Sequence, residues 1–569
     1  FAVATLLAGH FMAYTPEVKI LHEEGVSTGA LPSATKMRLG YENAALAAGL
    51  AAGELDNFAA ACRGEPLDCR SESLPTVVAG PRRHVLVDLF FCQPGYHGGG
   101  EYGKAVFHGL AAAAAARSDV TVWAALDPAL HIDPWVLAEC RRLAIRVIAV
   151  RSYADIVALV NSGRFTAFFC PAIVVYTGYE YMRRAGTRLP FTGGRTRVIG
   201  TLHDIRDLQL IRDREVITTA LVRAGWQPQT AGPGSFLSPS APDPAALAAM
   251  YAAICHDPHV DTLVTVSRYC REVLEAEFAP PPERFVVLSS AEKDRPQPTP
   301  YHGHGIGTDG RPFALVLHAG RPEKNAPSVA AAFDRLFTGP GDPFGLADLR
   351  VVFVGISSLD ELGLGRLANL ERFSAIPELP PGQLEDLLER ARMLVYASFN
   401  EGFGYPPVEA MRYGTPAVVA AVAAIPEVCG DAAVTCDPRD VDSIAGAILQ
   451  AWHDPPTRDQ IVSRHAAIVT RQRRDLLDLV RLVLDGVRPP EHAPDAPAAG
   501  APVAVAPAGY VLRHAGWCPI CERATTFSAT EVWLRDHYVC EKCHSLPRER
   551  ALMVALQTRF PDWRRLRIH

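Results

Sequence analysis

Residues 401–427, EGFGYPPVEAMRYGTPAVVAAVAAIPE, constrain the fold more than any other part of the chain. An apolar run at residues 392–397 precedes them and predicts a buried strand, and residues 407–413 have a helical pattern. The loop between strand and helix carries Gly402 and Gly404, and glycine lets backbone N–H groups approach an anionic ligand closely. The sequence therefore predicts a strand, a ligand-binding loop and a helix in succession.

Two acidic residues lie eight positions apart in this stretch. Glu401 is on the loop and Glu409 is about one turn into the helix, so both carboxylates can reach one ligand. Acids at this spacing also occur by chance on surface helices, and the alternative is a structural loop with surface acids. The glycines and prolines around the pair favour a binding site.

The whole string, with Gly-Phe-Gly, Glu-Ala-Met, Gly-Thr-Pro and Ile-Pro-Glu-Val, resembles the signature of retaining GT-B glycosyltransferases of family 4. The resemblance extends over about residues 82–486. It implies an α/β fold in which two Rossmann-like, doubly wound domains face a cleft. It also implies a glycosyltransferase (EC 2.4) that uses a nucleotide-diphosphate sugar as its donor.

In that family, the first acid of the pair contacts the donor sugar and the second holds the nucleotide ribose. The residues that the resemblance assigns to the donor site in this way are Glu401, Gly402, Phe403, Gly404 and Glu409. One departure concerns residues 420–425, Ala-Ala-Val-Ala-Ala-Ile, where the family commonly has a serine or a similar polar residue. The sugar that the donor carries is therefore not indicated by the sequence.

Two further segments are candidates for holding phosphate groups. Gly98-Gly-Gly100 follows a predicted strand and opens a helix, a place where N–H groups and the helix dipole favour a phosphate, although such glycines also form simple tight turns. By the resemblance, Gly99 and Gly100 face the donor. Arg321 and Lys324, in the string HAGRPEKN, would supply positive charge to a diphosphate leaving group, and the alternative is that both are solvated loop charges. No Asp-x-Asp motif argues for a metal, so no catalytic metal is expected.

His203 and Asp204 follow a predicted strand of the first half. The resemblance places such a histidine near the reactive end of the sugar, and the aspartate would orient the imidazole. The alternative is a structural histidine. His203 therefore joins Glu401, Arg321 and Lys324 as a candidate catalytic residue.

Composition excludes several other classes of protein. The chain has 569 residues, of which 49% are hydrophobic and 21% charged, as in ordinary multidomain globular proteins. A formal net charge of -6 gives no reason to expect nucleic-acid binding. No apolar run reaches the length of a membrane span, so at most peripheral membrane association is expected. The nine cysteines before residue 500 suggest no disulfide framework, which predicts a cytoplasmic location, with the inner face of the membrane as one option.

The pattern divides the chain into five parts. Residues 1–80 form a helical extension or the tail of a preceding domain, and LHEEGVSTG within them faintly resembles the end of family 2 glycosyltransferase domains. Residues 81–305 are expected to form the acceptor domain, and residues 306–486 the donor domain. The donor domain would end in a long helix at 457–484 that crosses back onto the acceptor domain. Residues 487–509, rich in proline and alanine, form a linker. Residues 510–569 begin a zinc ribbon.

Alternating apolar and polar segments predict the elements of both halves. A helix is expected at residues 104–116, and a segment at 213–246, broken by glycine and proline, predicts an irregular insertion. The predicted strands are at residues 85–91, 120–124, 146–150, 167–170, 197–201 and 262–266 in the first half, and at 313–318, 349–354, 393–396 and 417–420 in the second.

Near the C-terminus, Cys518, Cys521, Cys540 and Cys543 form two C-x2-C knuckles whose spacing predicts a tetrahedral zinc site. Four protein ligands leave no open position, so the zinc would be structural. The following CHSLPRERALMVAL resembles the zinc-ribbon lead-in of bacterial SAM-dependent methyltransferases, whose cofactor loop would lie beyond residue 569. The alternative, given the arginines after residue 547, is a ribbon that binds nucleic acid.

Together these patterns predict a retaining glycosyltransferase with the nucleotide sugar in the second half and the acceptor in the first. The acceptor would be a glycan or a lipid-linked sugar, in bacterial surface polysaccharide synthesis. The alternatives are a GT-B module that no longer transfers sugar and acts as a scaffold, and an epimerase or phosphorylase on the same fold.

Overall fold

The computed structural model describes residues 82–93, 97–177, 189–192, 194–227, 235–238, 241–293, 296–303, 306, 310–337, 344–363, 367–490, 512–518, 520–521, 523–529 and 538–546. The expectations for residues 1–80, for the linker at 491–509 and for the segment from 547 onward lie outside these residues. The chain divides into two compact units at residues 493 and 494, and each is described by itself.

The first half of the larger unit is a parallel sheet of seven strands in the order β3-β2-β1-β4-β5-β6-β7. Val85, Leu86 and Val87, in the third strand of this order, are fully buried, because helices cover both faces of such a sheet. The strands are β1 Arg83–Asp88, β2 Val120–Leu126, β3 Arg146–Ala149, β4 Ala167–Cys170, β5 Arg197–Thr201, β6 Thr262–Thr265 and β7 Phe285–Val287. The helices are α1 Gly98–Ala115, α2 Pro134–Arg142, α3 Tyr153–Asn161, α4 Arg206–Arg212, α5 Arg214–Arg223, α6 Pro244–His256 and α7 Arg268–Phe278.

The second half repeats the design with a six-stranded parallel sheet in the order β10-β9-β8-β11-β12-β13. Its strands are β8 Phe313–Val316, β9 Arg350–Val354, β10 Phe373–Ile376, β11 Met393–Tyr396, β12 Ala417–Ala420 and β13 Val434–Cys436. Its helices are α8 Ala326–Phe337, α9 Pro381–Arg390, α10 Tyr405–Arg412, α11 Ile425–Cys429, α12 Val441–His453 and α13 Arg458–Asp485. The predicted fold class, two doubly wound α/β domains, is confirmed.

Helix α13 joins the two halves, as the sequence predicted. Thr457 caps its start with a side-chain oxygen that accepts from the Gln460 amide. Ile461 and Ile468 pack in a core cluster of the second half, whereas the region of Leu479 and Val483 packs in the core of the first sheet. One helix of 28 residues thus contributes to both cores.

Three predictions need correction. The segment at 213–246 is not wholly irregular, because residues 214–223 form α5 and α6 begins at Pro244. Ile217 and Leu221, one turn apart, fix α5 by packing in a small cluster with Trp226. The first strand ends at Asp88 rather than residue 91, since residues 90–92 form a short 3-10 helix. The helix expected from residue 104 begins at Gly98, so the three glycines form its first turn.

The smaller unit contains an antiparallel three-stranded sheet, β14 Leu512–Cys518, β15 Arg523–Ala529 and β16 Tyr538–Cys540. Cys518 and Cys540 lie at strand ends and are buried. Among the described residues of the whole chain, no helix has the length and apolar character that a membrane span requires.

Candidate active site

The candidate residues follow strands at the centre of the two sheets. In the second sheet the strand order reverses between β8 and β11, and parallel sheets bind ligands outside the carboxyl ends of the strands at such a switch point. Arg321 and Lys324 follow β8, and Glu401 follows β11. The topology therefore brings these three predicted residues to one edge of the sheet.

Lys324, Tyr396 and Glu401 form a buried network at this edge. The Lys324 ammonium forms a close ion pair with Oε1 of Glu401 and donates to the Tyr396 hydroxyl at 2.8 Å. That hydroxyl donates to the same Glu401 oxygen at 2.7 Å. Lys324 is only 4% exposed and Glu401 6%, so Lys324 is not a solvated loop charge. Burial alone would raise the pKa of Glu401, but Lys324 and Arg206 outweigh it and lower that pKa to about 2.

Local backbone structure fixes Lys324. Residues Pro322–Lys324 form a 3-10 turn that ends at Asn325 in the left-handed conformation, with a φ of 60°. The Asn325 amide group donates to the carbonyls of Ala397 at 3.1 Å and Pro438 at 2.7 Å. Asparagine tolerates this conformation better than most residues, and here its side chain also ties the loop after β8 to the loop after β11.

Arg321 is more exposed than Lys324. Its guanidinium contacts the Glu323 carboxylate at 2.5 Å, and about half of its side chain is exposed. Burial would raise the pKa of Glu323, but the charges of Arg321, Arg206 and Lys324 outweigh it and lower that pKa. Arg321 also helps to lower the pKa of His97, which belongs to the first half, so its charge acts across the cleft.

Glu409 lies on α10, as predicted, and pairs with a lysine that the motif does not contain. Nζ of Lys293 is 2.9 Å from Oε1 of Glu409. The charges in this region also shift the pKa of His318. Its pKa falls to about 4 mainly through burial, then through Lys324 and Arg321, whereas the Glu409 charge opposes the shift. The charges of Arg321 and Glu409 are therefore both within electrostatic range of the His318 imidazole.

Gly402 and Gly404, in the loop after β11, are each required for a different structural reason. A Cβ on Gly402 would lie 2.6 Å from the His203 carbonyl oxygen, so glycine is needed for this close approach of the two halves. Gly404 has a φ of 94°, and a Cβ there would meet Ile425 at 2.3 Å. The Phe403 side chain is buried in the core, with its ring 5.3 Å from that of Tyr405. Only the backbone of Phe403 is therefore suited to ligand contact.

His203 follows β5 and lies next to the predicted glycines. Its Nε2 is 2.8 Å from the Pro171 carbonyl, so Nε2 carries the proton and donates, and Nδ1 is the acceptor. Burial lowers the pKa of His203 and Asp204 opposes this. A Cβ on Gly99 would lie 3.7 Å from that Nε2. The Gly100 amide donates to Nδ1 of His97 at 3.0 Å and so serves the helix cap.

Several hydrogen bonds hold the two halves together around Gly402. Its carbonyl accepts from the Ser267 hydroxyl at 2.8 Å. The Glu427 carboxylate, at the end of the motif stretch, accepts from the Arg268 and Tyr269 amides at 3.2 and 3.1 Å and thereby caps α7 of the first half. The cleft is thus closed in this structure.

Arg206, Lys293 and Tyr396 take part in the site but were not among the predicted residues. Arg206 directly follows His-Asp-Ile, and the nearby carboxylates, first Asp204 and then Glu323, raise its pKa. One feature of the sequence could have indicated Lys293 as a site residue: lysine is rare in this chain. Tyr396 ends a predicted strand, where the sequence pattern predicts a core residue, so no pattern indicated the contact of its hydroxyl with Glu401 and Lys324.

In the smaller unit, the four predicted cysteines come together. All four Sγ atoms lie within 4.8 Å of one another, with Cys518 to Cys543 at 3.6 Å and Cys521 to Cys540 at 3.9 Å. Four thiolates at about 2.3 Å from a tetrahedral zinc would be about 3.8 Å apart. The cysteines therefore fit a zinc ion with no vacant ligand position.

Two doubly wound sheets that meet across a cleft, with acids and cations at the switch point, define a protein of the GT-B class. Residues 306–466 match the family model described as "Glycosyl transferases group 1". The chain is 45% identical over 89 residues to O-antigen chain mannosyltransferase B of Escherichia coli, which covers 16% of the chain and 23% of that protein. It is 36% identical over 78 residues to O-antigen chain mannosyltransferase RfbU of Salmonella typhimurium, covering 14% and 22%.

A longer match, 28% identical over 212 residues, is to a glycogen synthase of Mycobacterium tuberculosis and covers 34% of the chain and 46% of that protein. The chain thus spans less than half the length of these relatives. Among solved structures, sucrose-phosphate synthase of Thermosynechococcus elongatus is 14% identical with a TM-score of 0.47, covering 70% of this chain and 98% of that one. Anabaena Alr3699/HepE in complex with UDP and glucose is 14% identical with a TM-score of 0.45, covering 71% and 100%. The family description agrees with the predicted enzyme class, a glycosyltransferase.

Proposed function

We propose that the protein is a retaining glycosyltransferase that moves a sugar from a nucleotide-diphosphate sugar to a glycan or lipid-linked acceptor. The observation that carries the proposal is the buried Lys324–Tyr396–Glu401 network at the switch point of the second sheet. Buried charges are costly and are retained where they are paired or used, and perturbed carboxylates in clefts are candidates for function. The names of the O-antigen relatives support a role in bacterial surface polysaccharide synthesis.

In this proposal the second half binds the donor. Arg321 and Lys324 hold the diphosphate and stabilise the negative charge that develops as the glycosidic bond breaks. Glu409 accepts hydrogen bonds from the ribose, and Glu401 contacts the sugar together with the backbone of residues 402–404. The amides at the start of α1, where Gly99 and Gly100 lie, face the diphosphate from the first half. The Gly100 amide would have to leave His97 to take part.

The acceptor binds on the first half near His203, whose Nδ1 is the acceptor nitrogen in the neutral ring. The low pKa of Glu401 and its two hydrogen-bonded partners suit an electrostatic role rather than that of a nucleophile. Retention would then proceed by departure of the diphosphate and attack of the acceptor on the same face of the sugar. Closure of the cleft excludes water from the donor.

The test begins with a donor screen. Thermal unfolding of the full chain is measured with common nucleotide sugars, mannose donors first because two relatives are mannosyltransferases, since a ligand that binds the native state stabilises it. Transfer to a glycan acceptor is then measured for Glu401→Gln, which keeps the shape of the side chain. We expect a loss of at least about 100-fold in kcat. The control is Asp442→Asn, which removes an exposed carboxylate of the same half.

Unchanged transfer by the Glu401 variant would refute the assignment. Donor binding by the native protein without any transfer or hydrolysis would favour the scaffold module. Product formation without an acceptor would favour an epimerase or phosphorylase.

For the smaller unit we propose a structural zinc held by Cys518, Cys521, Cys540 and Cys543. The sulfur distances support this, and a closed set of four thiolates leaves no position for a substrate. The resemblance to the lead-in of a methyltransferase stays a prediction.

A further inference from the structure

A short segment, residues 288–293, follows β7 and leads towards the second half. Its backbone is held at successive positions. The Ser289 amide donates to Asp475 at 2.9 Å, and the Ser290 carbonyl accepts from Gln472 at 2.7 Å. The Ala291 carbonyl accepts from the hydroxyl of Tyr405 at 2.6 Å. Both α13 and α10 therefore fix the chain immediately before Lys293.

Lys293 points from this segment onto α10. Its Nζ is 2.9 Å from Oε1 of Glu409 and 3.9 Å from the centre of the Tyr405 ring. The ring face attracts the ammonium group, so Tyr405 supports both the backbone and the charge of the lysine. The Lys293 side chain is 17% exposed and that of Glu409 6%, so solvent screens this pair less than it screens surface ion pairs.

The ion pair borders a small pocket of about 30 Å³ that is partly open to solvent. Glu292, Lys293, Tyr405, Glu409, Arg412 and His465 are among its lining residues. An ionised carboxylate offers about four acceptor positions, so it can accept from a ligand as well as from Lys293. Vicinal hydroxyls of a ligand bound beside this pocket would donate to the same carboxylate while the lysine holds it.

We propose that Lys293 is a positioning residue for nucleotide recognition: it fixes the orientation and charge of Glu409 so that this carboxylate accepts from the ribose hydroxyls of the donor. The proposal rests on the proposed function, which assigns the ribose to Glu409. It adds a residue outside the 401–427 stretch, carried by the segment that joins the two halves. Nucleotide affinity would then depend on that segment as well as on the donor half.

The test combines a protein variant with a modified ligand. Binding of UDP, GDP and ADP to the full chain is measured by calorimetry, and the tightest binder is compared with its 2′,3′-dideoxy form. We expect Lys293→Met to weaken the ribose nucleotide about tenfold, as for the loss of one charge-assisted contact. The dideoxy form should lose less than about twofold, because it lacks the hydroxyls through which Lys293 acts.

Two further variants complete the design. Lys293→Arg keeps the charge and should stay within about threefold of the native affinity, given the looser fit of the larger group. Arg335→Met is the matched control, because it breaks an exposed ion pair with Asp442, at 2.6 Å, that does not line this pocket, and it should leave binding unchanged. Should Lys293→Met fail to fold, since it removes a cation from beside a buried carboxylate, Lys293→Gln is compared in the same way.

The outcomes separate the two proposals. Equal losses for the ribose and dideoxy nucleotides, or no loss in the Lys293 variants, would refute the positioning role while leaving the proposed function intact. Failure of the native protein to bind UDP, GDP or ADP would refute the proposed function and this inference with it.

Discussion

Substitution of Gly402 by alanine should slow sugar transfer without unfolding the protein. The φ of Gly402 lies outside the left-handed region, so alanine can adopt its backbone conformation. The added methyl group would nevertheless lie 2.6 Å from the His203 carbonyl oxygen and 2.9 Å from Oδ2 of Asp204. These atoms belong to the opposite half, so the clash falls on the closed cleft and not on the core of either half.

The size of the effect follows from these distances. A carbon and an oxygen in close contact are about 3.3 Å apart, so the loop must withdraw from the first half by about 0.7 Å. The withdrawal also stretches the bond from the Ser267 hydroxyl to the Gly402 carbonyl. Misplacement by about 1 Å of groups that position a substrate can reduce a rate by about 100-fold. We therefore expect kcat for sugar transfer to fall by between about 10-fold and 100-fold.

The assay measures kcat for transfer and the urea midpoint of unfolding for the same preparations. Gly446→Ala is the matched control, because a Cβ at Gly446, inside α12, would meet nothing within 4 Å. That control should keep native kcat and gain about 1 kcal/mol of unfolding free energy from the better helix propensity of alanine. Native kcat in the Gly402 variant would show that the closed contact with His203 is not used in catalysis.

Two further predictions concern acid stability and the cysteine cluster. Burial, more than any charge, lowers the pKa of His97 to about 4, so the folded protein binds fewer protons than the unfolded chain between pH 6.5 and 4. Its contribution to unfolding free energy, present above pH 6.5, should be lost as the pH falls through 4, by up to about 3 kcal/mol. The His97→Asn variant keeps an N-cap acceptor that does not titrate, so its free energy of unfolding in urea should fall less on acidification than that of the native protein. Equal falls in the two proteins would contradict the assignment. For the cysteines, mass spectrometry should find one zinc per chain, and a strong chelator should raise the number of reactive thiols by four. The Cys518→Ser variant should lose the metal, and an unchanged number of reactive thiols after chelation would exclude the site.

The central elements of both sheets could be predicted because their strands are continuous apolar runs. Strands β7, β10 and β13 were not anticipated, and each lies at a sheet edge. They are only three or four residues long, and β10 and β13 include residues that are not buried, so their pattern is weak. Helix α5 was hidden in a segment whose glycines and prolines lie mainly after it.

The candidate site was predictable where one short segment carried the information. Glu401 and Glu409 belong to one loop-and-helix segment, and their spacing together with the surrounding glycines and prolines predicts a common ligand. Lys293 and Arg206 reach the same region from distant parts of the sequence, and only the tertiary structure brings them there. The burial of Lys324 likewise depends on Asn325, whose side chain bonds to carbonyls more than 70 positions away.

Helix α13 has a consequence for how such enzymes can be recombined. Its later turns complete the apolar core of the first half, although they follow the second half in the chain. A chimera that exchanges the second half as one contiguous block would bring foreign side chains into the host's core. A functional exchange would therefore need two junctions, with the end of the helix kept from the parent that supplies the first half.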